Sequence, residues 1–406
     1  MTNWKKLKIE DCAEVIGGGT PSTKKKEYWD GDISWITPKD LSNYNNRYIS
    51  KGSRNISEKG LKYSSARLLP KNSVLLTTRA PIGYLAISKK ELATNQGFKS
   101  LIMKNGNVPE FFYYLLKNNI NKLLQYASGT TFMELNATNL KSIEFYIPEV
   151  YEQKRIASIL SALDDKIELN NKTNKILEEM AQTIFKEWFI NFNFPNEDGK
   201  PYKKSGGEMI DSELGKIPKG WKVITLKDII SIAKGKKPKA TSDKITEKFT
   251  MPYLTINCYN NEATEYTEYN EKMHVKELDI IMVMDGNAGK IFYGKEGILS
   301  STMAKLIVED SNLNELVFYF LKSIEYDLMY HTVGSVIQHA DKQYMLNKKF
   351  CVSLDNLERL SDIFKCIRKE ISLNKKENEK LSNIRDSLLP KLMTPKGHRA
   401  DGEIRV

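Results

Sequence analysis

Ile167-Glu168-Leu169-Asn170-Asn171-Lys172-Thr173-Asn174 recurs as Ile371-Ser372-Leu373-Asn374-Lys375-Lys376-Glu377-Asn378, and each copy sits at the centre of a long apolar spacing. Around the first, Ile156, Leu160, Leu163, Ile167, Asn170, Asn174, Leu177, Ala181, Ile184 and Trp188 step by four and three without a break, which is a heptad seam. Around the second run Leu360, Phe364, Ile367, Ile371, Asn374, Asn378, Leu381, Arg385, Leu388 and Leu392, with Arg385 the one poor fit. Antiparallel pairing sets Asn170 opposite Asn378 and Asn174 opposite Asn374. A buried amide costs stability unless another amide meets it. A slip of one heptad would strand these amides against leucine or isoleucine, so the four asparagines are expected to fix the register. The alternative is that 169–174 forms a polar bend between two short helices, since asparagine is a middling helix former. Its recurrence in both copies argues against the bend.

The duplication extends outward from these helices. Trp4, Ile9, Asp11, Gly18 and Pro21 recur as Trp221, Leu226, Asp228, Gly235 and Pro238, each at an offset of 217 (221 − 4). Leu75, Gly83, Lys99, Tyr113 and Leu115 meet Ile281, Gly289, Lys305, Tyr319 and Leu321 at 206, and the helices repeat at 204. A collinear set whose offset shrinks in steps is the mark of an internal repeat with loop-length changes. In each copy a mixed globular part precedes the helix. Ile33–Thr37 and Val74–Thr78 read as strands bounded by turn residues. Pro109–Leu124 reads as a helix with Phe112, Leu115, Leu116, Ile120 and Leu123 near one face. The expected division is 1–151 and 221–356 as globular domains, 152–192 and 357–393 as long helices, 193–220 as a Pro/Gly-rich linker and 394–406 as a tail. The expected fold class is α/β (α+β) with a two-fold internal repeat: two globular domains separated by a long antiparallel two-helix coiled coil.

Composition narrows the function. The 406 residues carry a net charge of +11, which favours an anionic partner. Cys12, Cys258, Cys351 and Cys366 stand far apart, and His274, His331, His339 and His398 show no ligand spacing. Neither a metal nor a disulfide framework is expected, and reduced thiols fit a cytoplasmic protein. The first residues contain no apolar signal core, and no stretch approaches the ~20 apolar residues of a membrane span. Gly286-Asn287-Ala288-Gly289-Lys290 looks like part of a phosphate-binding loop, but Met284 and Ile291 stand where Gly and Ser/Thr belong. No amino-methyltransferase motif of the Asn-Pro-Pro-Tyr kind is present. Asp164-Asp165-Lys166 falls off the seam and reads as a solvated or docking face, not as part of a nuclease motif.

The run Pro148–Ile167, with Glu152-Gln153-Lys154-Arg155-Ile156, resembles the central helix of Type I restriction–modification specificity subunits. Ile184-Phe185-Lys186-Glu187-Trp188-Phe189 is similar to the end of that helix, and Ser212–Trp221 to the start of a second recognition domain. Gly18–Ser22, Thr78–Gly83, Asn95–Leu101, Leu388–Met393 and Gly402–Val406 fit the same family, although Asn356-Leu357-Glu358-Arg359 lacks its usual Pro and Glu-Gln. The resemblance implies a non-catalytic DNA-binding subunit that assembles with two methyltransferase subunits, and with restriction–translocation subunits in the full complex. It implies two recognition domains reading the two halves of a bipartite site, with adenine extrusion and S-adenosylmethionine belonging to the partner. An antiparallel seam of ~33 residues is ~50 Å long, against ~34–36 Å for one DNA turn, so the helices would act as a ruler between the halves.

Base readers are expected in loops near strand ends, where polar side chains reach base edges. In the first domain the candidates are Lys39, Asn43, Arg79, Thr130 and Thr131. In the second they are Asn257, Tyr259, Asn287, Ser335 and Gln338, with Asp285 where the first copy has Arg79 (285 − 79 = 206). An arginine prefers guanine and an acid can accept from cytosine, so the half-sites should differ. Lys24–Lys26 and Lys236, Lys237 and Lys239 suit phosphate contacts or plain solubilising charge. Trp35, Tyr113, Trp188 and Phe189 suit packing. A scaffold protein whose domains bind peptides is the competing reading.

Overall fold

The computed structural model describes residues 4–129, 133–259, 264–334, 338–353 and 357–395. The chain forms two compact units, Met1–Asn170 with Lys376–Val406, and Asn171–Lys375. Two helices of 36 residues, Val150–Phe185 and Leu357–Leu392, each contribute to both units. The first runs unbroken through 169–174, so that stretch is not a bend. It ends in a π turn, Lys186–Ile190. The second carries Pro390 inside its last turns.

In the first unit Ile156, Ala157 and Leu160 share a core with Leu389, Leu392 and Met393. Further along, Asn170 Nδ2 donates to Asn378 Oδ1 at 2.9 Å and to Glu377 Oε2 at 2.7 Å. Numbers rise on one helix as they fall on the other, so this half-pair is antiparallel. In the second unit Asn374 Nδ2 donates to Asn174 Oδ1 at 2.9 Å, and Phe185 packs on Phe364 with ring centroids 6.4 Å apart. That half-pair is antiparallel too. Every seam residue is buried or half-buried, as the heptad spacing requires.

The first unit is built on a five-stranded sheet in the order Ala13–Gly17, Phe98–Met103, Val74–Thr78, Ile82–Ser88, Tyr48–Ile49. Val74–Thr78 is central and buried along its whole length, which is why it shows no alternation of apolar and polar residues. A three-stranded sheet around Trp29–Ile36 and the pair Lys5–Lys8 with Glu144–Ile147 complete it. The helix expected over 109–124 is two, Pro109–Asn118 and Ile120–Gln125, broken at Asn119. The second unit repeats the plan with four strands, Ile230–Lys234, Met303–Val308, Ile280–Val283 and Ile291–Tyr293. Gly18 and Gly235 explain one repeated position. A Cβ there would lie 1.9 Å from the Asn95 carbonyl and 2.1 Å from the Ser300 carbonyl, so the backbones approach too closely for any other residue.

Three readings are corrected. Lys99 and Lys305 are not equivalent. Leu76 pairs with Lys99, whereas Ile281, the counterpart of Leu75, pairs with Lys305. One residue of shift turns a side chain to the other face of a strand. The linker is structured: Phe194 stacks on Tyr202 and Trp221 at 4.7 and 4.9 Å, and Met209–Ser212 pairs with Gly215–Pro218.

The Asp164-Asp165-Lys166 run is solvated only in part: Asp165 and Lys166 are exposed, but Asp164 is not. Asp164 is buried, accepts from Tyr114 Oη at 2.6 Å and is met by Arg385 at 2.6 Å, while Asp165 pairs with the buried Arg47. The misfit Arg385 therefore has its own counter-ion. Burial works against the Arg47 charge, but Tyr114 and Asp165 outweigh it and hold the guanidinium protonated.

All four cysteines are free thiols, and only Cys366 is exposed. Burial pushes Cys12 and Cys351 up to about 11. Since the thiolate is the nucleophile, alkylation of the folded chain near neutral pH is expected to label Cys366 alone quickly. Peptide mass mapping reads this directly, and rapid labelling of Cys12 or Cys351 would contradict the packing. Among the described residues no helix is long and apolar enough to cross a membrane, and no cluster of His, Cys, Asp or Glu could hold a metal ion.

Candidate nucleic-acid interface

In the first unit a short helix, Pro38–Leu41, follows the buried end of the strand Trp29–Ile36 and presents Lys39 outward. Asp40 locks the turn. Its carboxylate accepts from the Thr37 amide and hydroxyl, both at 2.7 Å, and from the Ser53 amide at 2.8 Å. Burial opposes the Asp40 charge, but these donors prevail and its pKa lies below the usual value. The clamp is therefore complete at neutral pH and is lost only as the pH falls through that depressed pKa. Asn43, exposed and at φ +61°, follows immediately.

Arg79 leaves the central strand at Thr78, whose carbonyl accepts the Leu135 amide at 2.9 Å. That bond and the Ser128–Glu134 bridge bring a second loop alongside. Arg79 Nη1 lies 3.7 Å from Glu134 Oε2, and Lys99 Nζ lies 3.7 Å from Glu134 Oε1. Thr130 and Thr131 lie outside the described residues.

The second unit builds the same framework. The Met284 carbonyl accepts the Ala340 amide at 2.9 Å, the Gly286 amide donates to the Gln338 carbonyl at 3.1 Å, and Asp285 bridges His339. The structure thus brings together Asp285, Asn287 and Gln338, the last two exposed. Asp285 is not a free acceptor: His339 Nδ1 is 2.7 Å from its Oδ1 and Lys234 Nζ is 3.5 Å from its Oδ2. Ser335 lies outside the described residues. Asn257 is exposed on the short helix Ile256–Tyr259.

Tyr259 on that helix is packed inward, against the expectation of a reader. Its ring lies 4.8 Å from that of Phe292, with Lys295 over it at 5.2 Å, and its hydroxyl is buried. Trp35 is likewise buried, its Nε1 donating to the Gly19 carbonyl at 2.9 Å.

Glu134, Lys99, Lys234 and His339 were not among the expected residues. Their signal was available in the repeat: at offset 205, Glu134 falls on His339 (339 − 134).

Two mixed sheet domains, each with pinned polar loops at strand ends and each joined to long antiparallel helices, define a duplicated recognition protein. The profile of the Type I restriction modification DNA specificity domain matches residues 1–179 and 218–383. The MjaIX specificity subunit of Methanocaldococcus jannaschii is 36% identical, over 100% of this chain and 94% of its own length. The HindI specificity subunit of Haemophilus influenzae is 22% identical over 97% of this chain and 99% of its own. The crystal structure of a Type I S subunit from M. genitalium shares the fold, with a TM-score of 0.61 at 18% identity, over 97% of this chain and 96% of that one. This chain belongs to the Type I restriction–modification specificity family.

Proposed function

We propose that the chain is the sequence-reading subunit of a Type I restriction–modification complex, with each unit reading one half of a bipartite DNA site. The observation that carries this is the repeated loop framework. The backbone bond from 135 to 78 recurs from 340 to 284, yet the polar side chains presented beside it differ. Loops pinned alike with unlike contact groups suit two unlike half-sites, because phosphate contacts position a protein and base contacts specify the sequence.

Arg79, Lys39 and Asn43 in one unit, and Asn257, Asn287 and Gln338 in the other, are the contact candidates, with Thr130, Thr131 and Ser335 added from the sequence. The paired asparagines hold the helical register, and the helices set the separation of the half-sites. Catalysis belongs to methyltransferase partners carrying S-adenosylmethionine, with restriction subunits in the larger complex. Ile176 and Met180, 46% and 49% exposed on the first long helix, offer apolar surface for such partners.

Footprinting of the complex with its methyltransferase tests the reading. Two short protected patches with a gap between them are expected, weakening steeply as salt rises. No protection at low salt would favour the peptide-binding scaffold. Arg79→Ala is expected to relax one base pair of one half-site at a cost of about 1–3 kcal/mol. A uniform loss across all sequences, read by competition binding, would make Arg79 a phosphate contact instead.

A further inference from the structure

The acid and the basic side chain exchange loops between the two units. In the first, the loop after the central strand supplies the base, Arg79, and the adjoining loop the acid, Glu134. In the second, the strand loop supplies the acid, Asp285, and the adjoining loop the base, His339. The flanking lysine has changed strands to follow the acid. Lys99 stands opposite Gly17 in the first unit, and Lys234 stands opposite Ala304 in the second. Each lysine lies within ion-pair reach of its acid, 3.7 Å from Glu134 and 3.5 Å from Asp285. One backbone bond beneath the pairs recurs, from the Leu135 amide to the Thr78 carbonyl and from the Ala340 amide to the Met284 carbonyl, so both loop pairs are pinned at the same point.

Exposure shows which member faces outward in the second unit. Asp285 is 22% exposed and lies between His339 Nδ1 and Lys234 Nζ, whereas the His339 side chain is 50% exposed. A carboxylate on Nδ1 fixes the ring orientation and leaves Nε2 as the free polar atom. With His339 on one oxygen and Lys234 beside the other, Asp285 is the less accessible member of the pair to a base edge.

Resting on the reading of this chain as a DNA-recognition subunit, we propose that His339 is the specificity-determining residue of the second unit's loop pair, and that Asp285 is its positioning residue. His339 is thus the counterpart of Arg79, placed on the opposite loop. Through Nε2 it meets a base edge in the second half-site.

The test uses the chain assembled with its methyltransferase partner, acting on a library with randomised half-sites and read by sequencing the methylated molecules. His339→Ala is expected to lower discrimination at one base pair of the second half-site by about five- to hundredfold, the range of a base-specific contact. The first half-site should be unchanged. Asp285→Leu should relax the same base pair, and the double variant should lose no more than either single one. Asp285→Asn, whose amide oxygen still accepts from Nδ1–H, should retain the preference.

The exchange Asp285→Arg with His339→Glu recreates the first unit's pair. It should give that position the base preference read by Arg79. Should the alanine or exchange variants fail to assemble, His339→Asn decides, because its shorter amide can bond to Asp285 but cannot present Nε2. Unchanged preference in every variant that assembles would overturn the proposal, as would Asp285→Leu and His339→Ala relaxing different base pairs. A wild-type complex showing no bipartite preference would instead overturn the underlying reading.

Discussion

Arg368→Met is expected to destabilise the Asn171–Lys375 unit by about 3–5 kcal/mol, the usual cost of removing one partner of a buried ion pair. Arg368 and Glu315 have side chains 5% and 6% exposed, with Nη1 2.6 Å from Oε1. The other guanidinium nitrogen, Nη2, donates to the Glu277 carbonyl at 2.6 Å, and the group lies 3.5 Å from the centroid of the Tyr293 ring. Methionine fills much of the volume but supplies no donor, leaving Glu315 with Tyr293 Oη, at 2.7 Å, as its neutral partner. Hydrogen exchange followed by mass spectrometry separates this unit from the other and gives the size of the loss. Adding Glu315→Leu removes the stranded charge and should recover most of it. A single variant within about 1 kcal/mol of wild type would show that solvent reaches this pair, contrary to its burial.

Arg385→Leu is the corresponding prediction for the first unit, at about 3 kcal/mol. Asp164 would keep only the Tyr114 hydroxyl, and the apolar gain in the seam does not compensate a buried carboxylate stripped of its cation. Asp164→Asn in the same chain should restore stability, because a neutral amide can bond to Tyr114 without a counter-ion. The expectation from spacing alone is the reverse, since leucine is what a heptad position ordinarily wants. The sign of this one measurement therefore separates the two accounts. At offset 204 Asp164 falls on Arg368 (368 − 164), so the repeat places the globular anchor at one helical position and inverts its charge there as well.

These sites mark what the residues disclosed and what they could not. The seam and its asparagines were legible because helical spacing is a local periodicity, and amide–amide pairing leaves few alternatives once both helices are in view. Val74–Thr78 was legible as a strand because a short run of branched residues bounded by turn residues has few other fates. The role of Asp164 was hidden, since it depends on Arg385 more than two hundred residues away and on Tyr114 from a third element. Nothing in a spacing pattern distinguishes an exposed acid from one folded under another helix.

Strand ends and repeat offsets placed Asp285, Asn287 and Gln338 in neighbouring loops, as the structure has them, because both are local features of the residues. Tyr259 misled, because aromatic and polar character looks the same in a loop whether the ring turns outward or packs on Phe292. His339 has no spacing of its own to mark it, and only its alignment with Glu134 in the repeat sets it apart.

The most direct test of the central claim is a genome-wide map of methylated adenine in cells that carry the methyltransferase partner, with this chain present and with it deleted. The account predicts a two-part motif with a fixed gap, seen only when the chain is present and altered in one half alone when one unit is exchanged for that of a relative. A motif that persists after deletion, or one whose two halves change together on exchanging a single unit, would contradict it.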